Sequence, residues 1–182
     1  GRLSNLKTAA KDVIETLLQD SVSESATRIA VVPWAASVNA GSYAAAASGG
    51  AGADNCVIER TGSEAATDSP PGGAASVRRM TTPAYGNYTC PTAPIMPLKG
   101  KSERDALKSY IDGLEGRGAT AGHIGAAWGW YVLSERWNGI FTGPSKPEPN
   151  DPKKVGKNVL IMSDGKFNTS FKSGTALPSA EQ

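Results

Sequence analysis

No apolar stretch in this sequence approaches the roughly 20 residues that a membrane-spanning helix needs, and the opening Gly1-Arg2-Leu3 carries no signal-peptide pattern. These residues therefore predict a soluble chain. An excess of one charge is missing too. The 19 basic and 17 acidic side chains leave a net +2, which supplies neither the basic footprint of a nucleic-acid binder nor an acidic tail. Histidine occurs once, at His123. A histidine-based hydrolase would have that one base, and no Gly-x-Ser-x-Gly elbow, P-loop or His-Glu-x-x-His pattern accompanies it. A lone histidine on the first turn of a helix is more often solvated than catalytic. Cysteine is scarce as well: Cys56 and Cys90 are too far apart for a CxxC redox or zinc pattern. Either they bond, which implies an oxidising compartment, or they are two unrelated thiols, since spacing alone cannot show that their Cα atoms meet.

What is present is enough for one medium domain: 182 residues, 39% hydrophobic and 20% charged. Leu3, Leu6, Ala10, Val13, Ile14, Leu17 and Leu18 follow the three-and-four spacing of one helical face. Arg28-Ile29-Ala30-Val31-Val32 then reads as a buried strand, stopped by Pro33, which cannot donate to a ladder. Residues 41–100 change character, with an Ala/Ser/Gly tract at 44–52 and Pro70, Pro71, Pro91, Pro94 and Pro97. Such composition buries little apolar surface, so the stretch reads as a surface insertion that is mostly loop, and 44–52 as a flexible tract. Short runs such as Cys56-Val57-Ile58-Glu59-Arg60 could pair as small strands within it.

Helical pattern returns at Ser102, a candidate cap, with Asp105 near the positive end and Leu107, Tyr110, Ile111 and Leu114 as the buried stripe. Gly116-Arg117-Gly118 ends it, and a further helix carries Ile124, Ala127, Trp128 and Tyr131 on one face. After a proline-rich link over 139–156, residues 159–162 form an unbroken apolar run that suits an interior strand of a parallel sheet. That run ends in Asp164-Gly165, just past the carboxyl edge where open α/β sheets bind ligands. If the strand runs toward that edge, the helix after Thr120 starts there, and Thr120 comes close to Asp164. A hydroxyl and a carboxylate from separate loops make an oxygen site for a hard cation such as magnesium. In isolation, Thr120 also reads as a helix cap and Asp164 as a turn former beside glycine.

Three blocks, Arg28-Ile29-Ala30-Val31-Val32-Pro33-Trp34, Thr120-Ala121-Gly122-His123-Ile124-Gly125-Ala126-Ala127-Trp128-Gly129-Trp130 and Met162-Ser163-Asp164-Gly165-Lys166-Phe167-Asn168-Thr169, resemble the von Willebrand factor type A domain of TadG-like proteins. Those belong to the tight-adherence (Tad/Flp) pilus-assembly machinery of bacteria. The resemblance implies a doubly wound α/β fold with a mainly parallel, Rossmann-like sheet, and makes residues 1–182 part of one such domain with 41–100 inserted in it. It also implies a metal-ion-dependent adhesion site, with Thr120 and Asp164 as ligands of Mg2+, or of Mn2+ or Ca2+. The partner would be a protein offering an acidic side chain to the ion, drawn from other pilus components. No catalysis is implied. The family's Asp-x-Ser-x-Ser loop, which belongs before Arg2 together with a first strand, is not among these residues, so tight ion binding by this chain alone is not expected. The family further implies a location outside the cytoplasm and an inner-membrane anchor upstream, in keeping with a Cys56–Cys90 bond. Beside this stand two alternatives: a structural partner-binding domain whose metal site does not function, for which Trp130 is the candidate contact ring, and a hydrolase.

Overall fold

The computed structural model describes residues 1–50, 54–80, 89–116, 118–163, 165–172 and 175–178. In chain order, its helices and strands are α1 (Arg2–Leu17), β1 (Ile29–Val31), β2 (Val38–Asn39), α2 (Ala44–Ser48), β3 (Cys56–Ile58), β4 (Arg78–Arg79), β5 (Met96–Lys99), α3 (Arg104–Asp112), α4 (Gly122–Tyr131), β6 (Thr169–Lys172) and β7 (Thr175–Pro178). Helices α1, α3 and α4 fall where apolar spacing puts them. Ile14 of α1, with Leu18 after it, packs on Leu107 and Ile111 of α3 in a small cluster of its own. The turn before α3 is held differently from expectation: the Glu24 carboxylate, not a Ser102 cap, takes the Ser102 N–H at 2.9 Å and its hydroxyl at 2.7 Å.

The expected doubly wound, mainly parallel sheet is overturned. Among the described residues the strands form small separate sheets, β1 with β5, β2 with β3 and β4, and β6 with β7, and every pair is antiparallel. The reason lies at residues 159–162. They join no ladder among the described residues, and Val159, Leu160 and Ile161 are 41%, 66% and 47% exposed. A parallel strand needs a partner alongside, and none of the described residues supplies one. An apolar run thus reads the same whether or not the neighbour that would bury it is present.

The stretch 41–100 takes part in the core. It supplies Ala44, Ala47, Val57, Ile58, Val77 and Ile95 to the main core, where they meet Ile124, Trp128 and Tyr131 of α4 together with Trp137 and Phe141. Part of the tract expected to be flexible is helix α2, with Ala44 and Ala47 fully buried. The small strands do form: Val57 pairs with Val38 on one side and Arg79 on the other. Cys56 and Cys90 are bonded, their Cα atoms 5.9 Å apart.

Helix α4 packs through glycine. Gly122, Gly125 and Gly129 stand three and four apart and receive the Phe167 ring, the Trp34 ring and the Val159 side chain. A Cβ at Gly125 would lie 2.5 Å from the Trp34 ring, and one at Gly129 would lie 3.1 Å from Val159. Any larger residue would force these neighbours away.

The loop 60–69 closes the far side of α4. The Arg60 guanidinium is buried over the rings of Tyr131 and Trp137, 4.9 and 5.2 Å from their centroids, and donates to the carbonyls of Thr67 and Ser69. The Asp68 carboxylate accepts from the Ser134 hydroxyl at 2.6 Å and from Trp130 Nε1 at 3.2 Å. Burial works to raise the Asp68 pKa, but those hydrogen bonds and the Arg136 charge outweigh it and hold the carboxyl below its ordinary value. A carboxyl depressed by folding stabilises the fold above its unfolded pKa and loses that contribution as pH falls through the folded one. Lowering the pH from about 6 to about 3 should therefore reduce the urea midpoint more in the parent than in Asp68→Asn. Equal losses would show that Asp68 contributes nothing to acid sensitivity.

Candidate functional site

Three chain segments meet at one rim. The first follows β1, where the Ala35 carbonyl accepts from Ala121 N at 2.8 Å. The second is the turn 118–122 that opens α4. Its Thr120 is half-buried and does not cap the helix, since Ala121 stands at the N-cap and no side chain bonds there. The third comprises residue 163 and residues 165–168. Thr120 N donates to Asn168 Oδ1 at 2.8 Å, and Asn168 N returns a bond to the Thr120 carbonyl at 3.0 Å. Thr169 Oγ1 donates to the same Asn168 oxygen at 2.9 Å. A methyl placed on Gly165 would lie 3.9 Å from Thr120 Oγ1.

Asp164 lies outside the described residues. Its neighbours are placed: Gly165 N donates to Ser163 Oγ at 3.3 Å, Gly165 lies on the Thr120 hydroxyl side of the rim, and Ser163 lines the same cavity as Thr120. The structure places Gly165 and Asn168 against Thr120, while the expected approach of Thr120 to Asp164 itself falls outside the described residues. Sequence reasoning missed the Asn168 clasp. Its signal was an amide side chain four residues after an Asp-Gly turn, a type that readily takes backbone N–H groups.

The donors at this rim are oxygens. Thr120 Oγ1 and Ser163 Oγ are hydroxyls of the kind hard cations accept, whereas Asn168 Oδ1 already takes two hydrogen bonds. No cluster of three or more His, Cys, Asp or Glu side chains suited to a metal occurs among the described residues. A hard cation fits such a rim only as a partly hydrated ion with few protein ligands, the manner in which magnesium is commonly held.

His123 stands on the first turn of α4, away from that clasp. Its Nε2 is 3.3 Å from Glu59 Oε2, so an acid is within reach, as a histidine-based hydrolase would need. That carboxylate is already engaged. Glu59 Oε1 accepts from Phe171 N at 2.6 Å and lies 3.6 Å from Arg78 Nη2, which itself donates to the Phe171 carbonyl at 2.8 Å. Glu59, Arg78 and His123 together dock β6 on the body of the domain. No hydroxyl or thiol bonds His123 among the described residues, and the cavity beside it is only about 60 Å³. Trp130, the candidate contact ring, is 38% exposed and tethered to Asp68 through its indole N–H.

Among the described residues no helix is long and apolar enough to cross a membrane. The disulfide is compatible with a location outside the cytoplasm. Comparison of the chain with family models, with curated proteins and with solved structures finds no match.

Proposed function

We propose that the chain is a non-catalytic binding domain that docks an acidic side chain of a protein partner through a divalent cation, Mg2+ or Mn2+ or Ca2+, held at the rim by Thr120 and Asp164. The setting that fits it is the tight-adherence pilus machinery, on the extracytoplasmic side of an inner membrane to which the full protein is anchored. One observation supports the reading above the others: the Thr120 turn and the turn carrying Gly165 and Asn168 clasp each other through paired hydrogen bonds. A bound ion would polarise the partner's carboxylate and the waters around it. Thr120 would orient its hydroxyl from a backbone already fixed by Asn168, and Asp164 would supply the neutralising charge.

The reading is tested by titrating the chain with Mn2+ and following the electron paramagnetic resonance of the free ion, with Asp164→Ala and Thr120→Ala alongside. Weak saturable binding is expected in the parent, with a loss of about tenfold or more in each variant, equivalent to roughly 1.4 kcal/mol. Equal affinity in Asp164→Ala would remove that carboxylate from the ligand set. Circular dichroism of each variant separates loss of the site from loss of the fold.

A further inference from the structure

Two buried N–H groups belong to residues that wall the cavity of about 60 Å³ between the loop 60–69 and helix α4, and neither has an acceptor among the described residues: Arg60 Nε and Trp128 Nε1. Arg60 is 2% exposed and Trp128 1%. Buried donors are nearly always satisfied, so a pair of them at one cavity calls for a physical reason. A single water takes about 10–15 Å³ of such space. The cavity therefore admits a body larger than one water, yet lies far below the roughly 300 Å³ at which pockets for organic ligands begin.

One of the two donors belongs to a cation. The other guanidinium nitrogens donate to the Thr67 carbonyl at 3.2 Å and the Ser69 carbonyl at 2.6 Å, and the Tyr131 and Trp137 rings lie against the group. Those partners ease its burial but carry no full negative charge. Among the described residues no carboxylate pairs with Arg60. Asp68 pairs with Arg136, Glu64 takes the Thr67 hydroxyl, and Glu59, on the cavity wall, is shared between Arg78 and His123. A charge taken out of water without a counter-charge is costly.

We infer that this cavity binds one small monovalent anion of halide size, such as chloride, held by Arg60 Nε and Trp128 Nε1. An anion accepts from both N–H groups and neutralises the guanidinium, and hydrogen bonds to a charged acceptor are stronger than those to a neutral one. A water would accept from both and leave the charge. Sulfate and phosphate are too large, and their second charge would stand beside Glu59. Arg60 belongs to the loop and Trp128 to α4, so the ion ties one to the other. An ion bound only by the folded chain also stabilises it. The site is separate from the rim at Thr120 and takes an ion of the opposite sign.

The test follows the chlorine-35 resonance of sodium chloride added to the whole chain, with sodium gluconate holding the ionic strength constant and EDTA in excess. Exchange with a bound site broadens that line. Saturable broadening is expected, displaced by bromide and not by sulfate, and weakened about tenfold or more in Trp128→Phe, which keeps a ring and loses the N–H. Circular dichroism shows whether that variant is folded. Should it not fold, crystals of the parent soaked in sodium bromide decide the matter: an anomalous peak in contact with Arg60 Nε and Trp128 Nε1 is expected. No peak there, or broadening that rises with chloride without saturating, would overturn the inference and leave the two donors to water. Equal affinity in a folded Trp128→Phe would overturn it by placing the ion elsewhere, and displacement by sulfate would overturn it by showing general attraction of anions. Because EDTA removes divalent cations throughout, failure here leaves the ion-bridging reading untouched.

Discussion

Trp137→Ala is expected to lower the stability of the fold by about 3–5 kcal/mol, the range for truncating a fully packed tryptophan. Trp137 has no exposed surface. It stacks on Tyr131 with ring centroids 4.1 Å apart and meets Trp128 edge-on at 5.5 Å. Its indole N–H donates to the Asp68 carbonyl at 3.1 Å, and the Arg60 guanidinium lies over its face. Truncation would open a cavity, leave a carbonyl without its donor and take one aromatic face from a buried cation, and the last two costs add to the first. A domain of this size has only about 5–15 kcal/mol in hand, so partial unfolding at room temperature is an expected sign. Urea denaturation of Trp137→Phe supplies the comparison: it keeps a ring and loses the hydrogen bond, for a smaller loss of about 1–2 kcal/mol. A loss under about 1 kcal/mol in Trp137→Ala would mean that the cluster collapses around the gap.

The second large effect belongs to the disulfide. Cys56 and Cys90 are 34 residues apart, and closing a loop of that length in the unfolded chain is worth about 4 kcal/mol in the chain-entropy model. The bond ties β3, the central strand of its sheet, to the segment that returns along β2. There Ile95 N donates to the Asn39 carbonyl at 2.8 Å, and the Asn39 amide donates to the carbonyls of Pro91 and Thr92 at 3.1 Å. Replacing both cysteines by serine should therefore lower the melting temperature sharply, and a reducing agent should do the same to the parent and nothing further to the variant. A variant that melts with the parent would show that the Asn39 bonds hold the return segment unaided.

Local pattern was enough to find α1, α3 and α4, because each has an apolar stripe at helical spacing. The sheet could not be read in the same way. Residues 159–162 have the composition of a buried strand, but burial depends on a neighbour, and no property of the run itself reports whether one is alongside. Residues 41–100 pose the opposite case. Their alanines and glycines are poor at burying surface singly, yet Ala44 and Ala47 fit against the main core because they are small. The Glu59–His123 contact joins positions 64 apart, beyond what any local spacing encodes. The glycines of α4 were visible at positions 122, 125 and 129, and only their meaning as a packing face had to wait for Trp34 and Phe167 to be placed.

That face has a thermodynamic consequence for the helix that bears it. Where other helices must freeze rotamers to make contact, α4 offers bare main chain along one side and loses no side-chain freedom there on folding. Each glycine costs the helix about 1 kcal/mol relative to alanine, a penalty repaid only when Trp34, Phe167 and Val159 lie against it. The helicity of residues 122–131 is thus borrowed from the assembled domain, and the same ten residues as a free peptide have little reason to coil.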